Sequence, residues 1–336
     1  MVTFNKVKNS VDGILKSFPQ RNEDIIRARF GLGKERDTLE NIGKIYGITR
    51  ERVRQIENKS LNDIKNSSKF YLLQEEAKEI EKYLKSLGGL KREDILIKDI
   101  SPKEDYSGYV LFLLTIADPF DYSPDSEVFY PFWMVDKNSP RIAQHVNESI
   151  KSIFEKTRSL LTEEEIVNLV LSSIAPKTKT KIEPPHVVSF IEVSKHIEQN
   201  PFGKYGLIFW PDVNPKTIRD KAYLILRENG KPMHFIEIKN AIQSSLGENI
   251  KENTLHNELI RDPIFVLVGR GIYALKDWGY KEGVLSDVIK AILKEKGPLT
   301  KDDLCQEIKK QRIVKDSTIT LNIYSFKKGK DGKYYI

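Results

Sequence analysis

The sequence predicts a mainly α-helical chain with small β-hairpins, and three observations carry that reading. In TLENIGKIYGITRERVRQIENKS, Thr38 to Ser60, two short amphipathic segments are joined by Gly47-Ile48-Thr49. Further along, the chain repeats one layout: an amphipathic helix, a break at Leu or Pro, a helix with acidic residues at its start, and a Gly-containing hairpin of alternating apolar residues. Charge is uneven: residues 1–70 hold 15 Lys and Arg against 9 Asp and Glu, net +6, whereas residues 71–336 hold 40 against 39, net +1. Together these predict an N-terminal helix-turn-helix followed by tandem winged-helix domains, each of three helices and a two-stranded wing. A local basic excess attracts polyanions.

The helix-turn-helix is expected over residues 1–67. Leu15 and Phe18 close a first segment. RNEDIIRARFGLG then sets Ile25, Ile26 and Phe30 on one face before Gly31 and Gly33 stop the helix. No GK[ST] follows, so the glycine pair is not a phosphate loop. Thr38 caps the next helix, with Glu40 in its first turn, where the helix dipole favours an anion. Leu39, Ile42 and Ile45 predict a buried stripe. Gly47 supplies the left-handed turn, Ile48 fills the corner and Thr49 caps the following helix.

Wound at about 100° per residue, that helix puts Val53, Ile56, Ser60, Leu61 and Ile64 on one side. Gln55 and Asn62 fall opposite, flanked by Glu51, Arg52, Asn58 and Lys59, with Arg50 in the first turn. Planar groups beside cations suit direct readout in a major groove: Gln pairs with adenine, Arg with guanine, and Glu accepts from cytosine. Arg52, Arg54 and Lys59 at the edges suit phosphates.

After the polar joint NSSKF, a weaker winged copy is expected over residues 70–135, from EIEKYLKSLGGLKREDIL to FYPFW. Clearer copies follow. Residues 146–212 run from SIKSIFEKTRSLLTEEEIVNLVL to NPFGKYGLIFW. Residues 215–279 run from IRDKAYLILRENGKPMHFIEIKNAI to PIFVLVGRGIYALKDW. Residues 283–336 run from VIKAILKEKGPLTKDDLCQEI to FKKGKDGKYYI. Trp133, Trp210 and Trp278 each fall just after an expected wing, which suggests a duplicated module. PDVNPK and DWGYKEG read as linkers. Tyr273, Tyr334 and Tyr335 read as wing and core aromatics, and KKQRIVKD, Lys309 to Asp316, as a solvated helix end.

Several classes fall away. No apolar run approaches the roughly 20 residues of a membrane helix. No signal-peptide core follows MVTFNKVKNS, so a cytoplasmic, nucleoid-associated location is expected. Cys305 is the one cysteine, and His145, His186, His196, His234 and His256 are scattered, so no metal or other cofactor is expected. No small-molecule ligand and no enzyme activity are expected either. Glu237 and Lys239, with Asp220 upstream, imitate a nuclease motif. Ile236, Ala241 and Ile242 instead fit the apolar side of a helix, whereas that chemistry needs a strand.

RARFGLGKERDTLENIGKIYGITRERVRQIENKSLNDIK, above all TRERVRQIE, closely resembles region four of primary bacterial sigma factors over about residues 20–65. The resemblance implies binding of double-stranded promoter DNA at the hexamer near thirty-five bases before the start site. It gives Arg50, Glu51 and Gln55 the base-contacting positions. Thr38, Thr49, Arg52, Arg54 and Lys59 take backbone-contacting ones. It also implies RNA polymerase core as partner, through the flap of the beta subunit. Nothing resembles the promoter-melting region two. KPMHFIEI…PIFVLVGRGIYALKDW, within residues 217–279, looks like the HARE-HTH winged helix of the polymerase delta subunit. The function expected is that of a sigma-like, sequence-specific transcription protein. The alternative is a polymerase accessory protein that docks without reading DNA.

Overall fold

A computed structural model describes residues 4–102, 106–175, 181–281 and 283–336. Met1 to Thr3 of the N-terminal stretch and Glu282 of the DWGYKEG linker lie outside the described residues. The chain forms two compact units, Met1–Glu198 and Gln199–Ile336.

The first unit opens with α1 (Phe4–Leu15), α2 (Gln20–Phe30), α3 (Leu39–Tyr46) and α4 (Arg50–Lys65). There follow α5 (Gln74–Ser86), β1 (Leu90–Arg92), α6 (Glu93–Ile100), α7 (Ser107–Ile116), β2 (Asp121–Ser123) and β3 (Phe132–Met134). The three strands form an antiparallel sheet in the order β1-β3-β2, with Trp133 opposite both Lys91 and Tyr122. Next come α8 (Ser139–Thr157), β4 (Leu161–Thr162), α9 (Glu163–Leu169), extended by a π-helical turn at Val170–Ile174, and α10 (Pro184–Glu192). β5 (Ile197–Gln199) straddles the boundary, and β6 (Lys204–Leu207) lies in the second unit.

The second unit continues with α11 (Ile218–Asn229), β7 (Met233–His234), α12 (Phe235–Leu246), α13 (Glu252–Arg261), β8 (Phe265–Gly269) and β9 (Ile272–Leu275). Its sheet runs β7-β9-β8. Last are α14 (Leu285–Lys296), α15 (Lys301–Gln311), α16 (Asp316–Ile323), β10 (Lys327–Lys328) and β11 (Tyr334–Tyr335). Here the first strand shrinks to a bridge between Leu299 and Tyr334. Among the described residues, the order helix, strand, helix, helix, strand, strand therefore recurs in four copies after α4. The fold is mainly α with small antiparallel wings, opened by a helix-turn-helix.

The helix-turn-helix does not close its core alone. One face of α2, with Ile25 and Ala28, packs on Ile42 and Val53 of α3 and α4. Its other face joins a larger cluster in which Ile26, Phe30 and Ile64 meet Val11 and Leu15 of α1, Leu84 of α5 and Phe112 of α7. The α7 sequence, SGYVLFLLTI, is apolar all round, which is the pattern of a helix buried on every side. Seven of its ten residues are buried. Phe112 meets Phe30 edge to face at 5.2 Å. Gly108 lets the backbones touch: a Cβ there would lie 2.6 Å from the Gly31 carbonyl oxygen. Arg27 binds Asp12 at 2.8 Å, and the Tyr109 hydroxyl donates to Asp12 at 3.4 Å.

The second winged copy is attached by its third helix. The buried Ser189 hydroxyl on α10 donates to the Leu90 carbonyl at 2.5 Å, and Asn147 on α8 donates to the Phe190 carbonyl at 2.6 Å. The third helices of both copies in this unit, α7 and α10, are thus spent on packing.

Four expectations change. Ile45 is 65% exposed, because the stripe on α3 passes from Ile42 to Tyr46, one turn on, rather than to Ile45. Ile236 is 40% exposed, and Ile238 with Ile242 supplies the buried side of α12. Trp133 stands within a wing strand instead of after it. Within the expected solvated helix end, Arg312 is buried. Its guanidinium donates to the Leu267 carbonyl and, at 2.6 Å, to that of Gly283. The adjacent Ile313 N–H donates to the Val268 carbonyl at 2.8 Å. The last winged copy thereby covers the outer edge of β8.

Gly108→Ala should lower the stability of the first unit by about 1–3 kcal/mol through overpacking, despite alanine's better helix propensity. A reduced urea midpoint of the full chain checks this. Arg312→Met should expose amides of β8 to faster hydrogen exchange, since the Leu267 and Gly283 carbonyls lose a charged donor at roughly 1–3 kcal/mol.

Candidate nucleic-acid interface

The local sequence builds the helix-turn-helix joint. The Thr38 hydroxyl accepts from the Asn41 N–H at 3.1 Å and starts α3. Gly47, at φ 63°, ends it in the left-handed region, where a side chain would be strained. The Thr49 hydroxyl accepts from the Arg52 N–H at 3.2 Å and starts α4. The turn is tight: a Cβ at Gly43 would lie 2.6 Å from the Ile48 carbonyl oxygen. Val53, Ser60 and Ile64 of α4 face inward. Arg29 of α2 reaches Glu57 of α4 at 3.2 Å. Burial pushes the Glu57 carboxyl up, and Arg29 pulls it partly back.

The opposite face of α4 is exposed and polar. Arg50, Glu51, Arg52, Arg54, Gln55, Asn58, Lys59 and Asn62 all lie on it. Six of the sequence-predicted site residues, Arg50, Glu51, Arg52, Arg54, Gln55 and Lys59, therefore share this helix, with Thr49 at its cap. Thr38 sits apart at the start of α3.

These groups are ordered by one another. Arg54 grips Glu51 with two hydrogen bonds, at 2.9 and 2.7 Å. That pairing holds the Glu51 carboxyl below its usual range. Arg52 donates to the Gln55 side-chain oxygen at 3.1 Å. Among the described residues, the Arg50 and Lys59 side chains make no hydrogen bond or ion pair. Exposed pairs of this kind are weak and exchange readily for base edges or phosphates.

A shallow groove opens where α3 meets α4, lined in part by Lys44, Gly47, Thr49, Arg50 and Arg52. Lys44 adds a cation that the sequence reading of α4 does not include. The signal for it is the i,i+4 pair with Glu40 on the outer face of α3, at 3.2 Å.

The nuclease-like residues have structural partners. Glu237 stands on α12, where its carboxylate accepts from the His234 N–H at 2.9 Å and caps the helix. Lys239 pairs with Glu252 at 3.2 Å. Asp220 accepts from the Thr217 N–H at 3.2 Å at the start of α11. Among the described residues no group of three His, Cys, Asp or Glu is placed to hold a metal ion. No described helix is long and apolar enough to cross a membrane.

Comparison with known proteins falls on this same stretch. RNA polymerase sigma factor SigA of Bacillus sp is 40% identical over 67 residues, which is 20% of this chain and 18% of that protein. The chain thus covers less than a fifth of the length of this curated relative. The last turn of α1 through α4, residues 14–66, matches the family described as Sigma-70, region 4.

Proposed function

We propose that this protein binds double-stranded DNA in a sequence-specific, sigma-like manner, reads a minus-thirty-five-like promoter element with α4, and acts with RNA polymerase in transcription initiation or its regulation. The observation that carries this is the exposed polar face of α4, locked in place by Val53, Ser60 and Ile64, within residues similar to sigma-70 region 4. A recognition helix in a major groove presents its N-terminal residues to the bases. In that pose Arg50, Glu51 and Gln55 meet base edges. Thr49, Arg52, Arg54 and Lys59 flank them toward phosphates, and Thr38 reaches the backbone from the start of α3.

Core polymerase is the second partner, engaged at the flap of its beta subunit. The burial of α7 and α10 supports leaving sequence readout to α4 rather than to the winged copies of the first unit. The likeness of residues 217–279 to HARE-HTH fits the same transcriptional setting. The protein acts without a cofactor and in the cytoplasm, at the nucleoid.

Gln55→Ala should cost about 1–3 kcal/mol of discrimination between a promoter hexamer and a one-base variant of it, measured by competition gel shift. Unchanged preference removes Gln55 from the readout set. Lys59→Ala should weaken binding to every duplex alike and flatten the salt dependence by about 0.9 in log–log slope. Co-purification with core polymerase together with no salt-sensitive DNA affinity would replace this reading by docking alone.

A further inference from the structure

Positive charge gathers at both ends of the sequence. Residues 283–336 hold 12 Lys and Arg against 7 Asp and Glu, net +5, whereas residues 71–282 hold 28 against 32, net −4. Inside the last winged copy most carboxylates already have partners. Asp316 pairs with Lys309 at 2.7 Å, and Glu307 with Lys296 at 2.7 Å and Lys310 at 2.8 Å. Glu295 takes Lys281 at 2.6 Å. Asp303 accepts from Thr300 at 2.7 Å, and Asp331 accepts from the Tyr335 hydroxyl at 2.6 Å.

Lys290, Lys294 and Lys315 are also exposed without an ion pair among the described residues, but the densest group of such lysines is on the wing. Lys327, Lys328, Lys330 and Lys333 are all exposed on the hairpin of β10 and β11, and none of their ammonium groups forms an ion pair among the described residues. The hairpin is ordered by the Gly329 N–H donating to the Lys333 carbonyl at 2.8 Å and by the Lys328 and Tyr334 register. Beside it, the third helix α16 is open to solvent. It exposes Ser317, Thr318 and Leu321, with Lys315 at its cap and Tyr324 just past its end. Lys301 lies 5.7 Å from the Tyr324 ring centre. The copies of the first unit differ, with α7 and α10 engaged in packing, whereas α13 of the third copy is as open as α16 but stands beside a wing with Arg270 alone between its strands.

We infer that the last winged copy is a second, sequence-independent foot on duplex DNA, with its wing lysines on the phosphate backbone. Four lysines on one short hairpin, with Lys327 and Lys328 on its two faces and Lys328 5.8 Å from the Tyr334 ring centre, raise a positive potential that a polyanion relieves. Lysine is a point charge on a flexible stem, suited to phosphates rather than base edges, and the hydroxyls of Ser317 and Thr318 donate to the same oxygens. A regular array of phosphates offers one charge to each of four neighbouring lysines, which a single small anion does not. This foot adds to the affinity of α4 and not to its sequence preference, so the two contributions separate by experiment.

The test uses the full chain with Lys327→Ser, Lys328→Ser, Lys330→Ser and Lys333→Ser combined, titrated by fluorescence anisotropy against two duplexes, one containing the promoter hexamer and one without it, over a range of salt. The expected result is weaker binding to both duplexes by the same factor. The slope of log affinity against log salt should become shallower by about 2–4, at about 0.9 for each phosphate no longer neutralised. Gln55→Ala should show the opposite pattern, a reduced preference with an unchanged slope. Mass-spectrometric acetylation of the unmodified protein gives an independent reading: duplex should protect the four wing lysines and leave Lys137 accessible. Unchanged slope and affinity, or no protection of the wing, overturns the proposal, as does loss of polymerase binding with DNA binding intact.

Discussion

An apolar helix packed on every side can have no function at the surface, and α7 is such a helix. Its buried side chains each remove apolar surface worth about 1.5–3 kcal/mol before chain entropy is counted. It shares one apolar cluster with α1, α2, α4, α5 and α6. Gly108 permits the approach, and the Phe30–Phe112 edge-to-face packing and the Asp12–Arg27 pair set its geometry. The consequence reaches the candidate interface. Because α4 contributes Ile64 to the shared cluster and Val53 to the smaller one, its inner face is held from two directions. The outer face is presented by a rigid scaffold, which is what groove readout needs.

The four winged copies use the same parts in different ways. The third helix of the first copy, α7, is a packing element, and the third helix of the second, α10, is anchored through Ser189 to the β1 strand of the first. In the second unit the copies are joined differently, by a buried arginine and one strand-edge hydrogen bond. Arg312 keeps its charge in the interior on the carbonyls of Leu267 and Gly283, and burial lowers its proton affinity. A basic stretch, Lys309 to Lys315, is therefore structural in the middle and solvated at its ends.

Electrostatics divides along similar lines. On α4 the charges are mixed and paired, Glu51 with Arg54 and Arg52 with Gln55, so the surface has pattern as well as sign. On the last wing four lysines flank Asp331 in sequence, and its carboxylate is already taken by the Tyr335 hydroxyl. Mixed planar groups discriminate between bases, and charge of one sign adds affinity without discrimination. In the proposed function the two surfaces contribute different components of DNA binding.

Much of the helix-turn-helix is legible in the residues themselves. Thr38, Gly47 and Thr49 act through bonds to neighbours a few positions away, and a helix period predicts which side of α4 meets solvent. The winged layout is legible for the same reason, since caps, breaks and hairpin glycines are local signals. Ile45 and Ile236 depart from expectation because periodicity cannot say which of two adjacent apolar positions finds a partner across the core. The burial of Arg312 depends on the carbonyls of Leu267 and Gly283, distant in sequence. The merging of the first module with the next depends on α7 finding α2 and α4. Those are long-range pairings, decided by packing between elements, and no short stretch of sequence contains both halves of them.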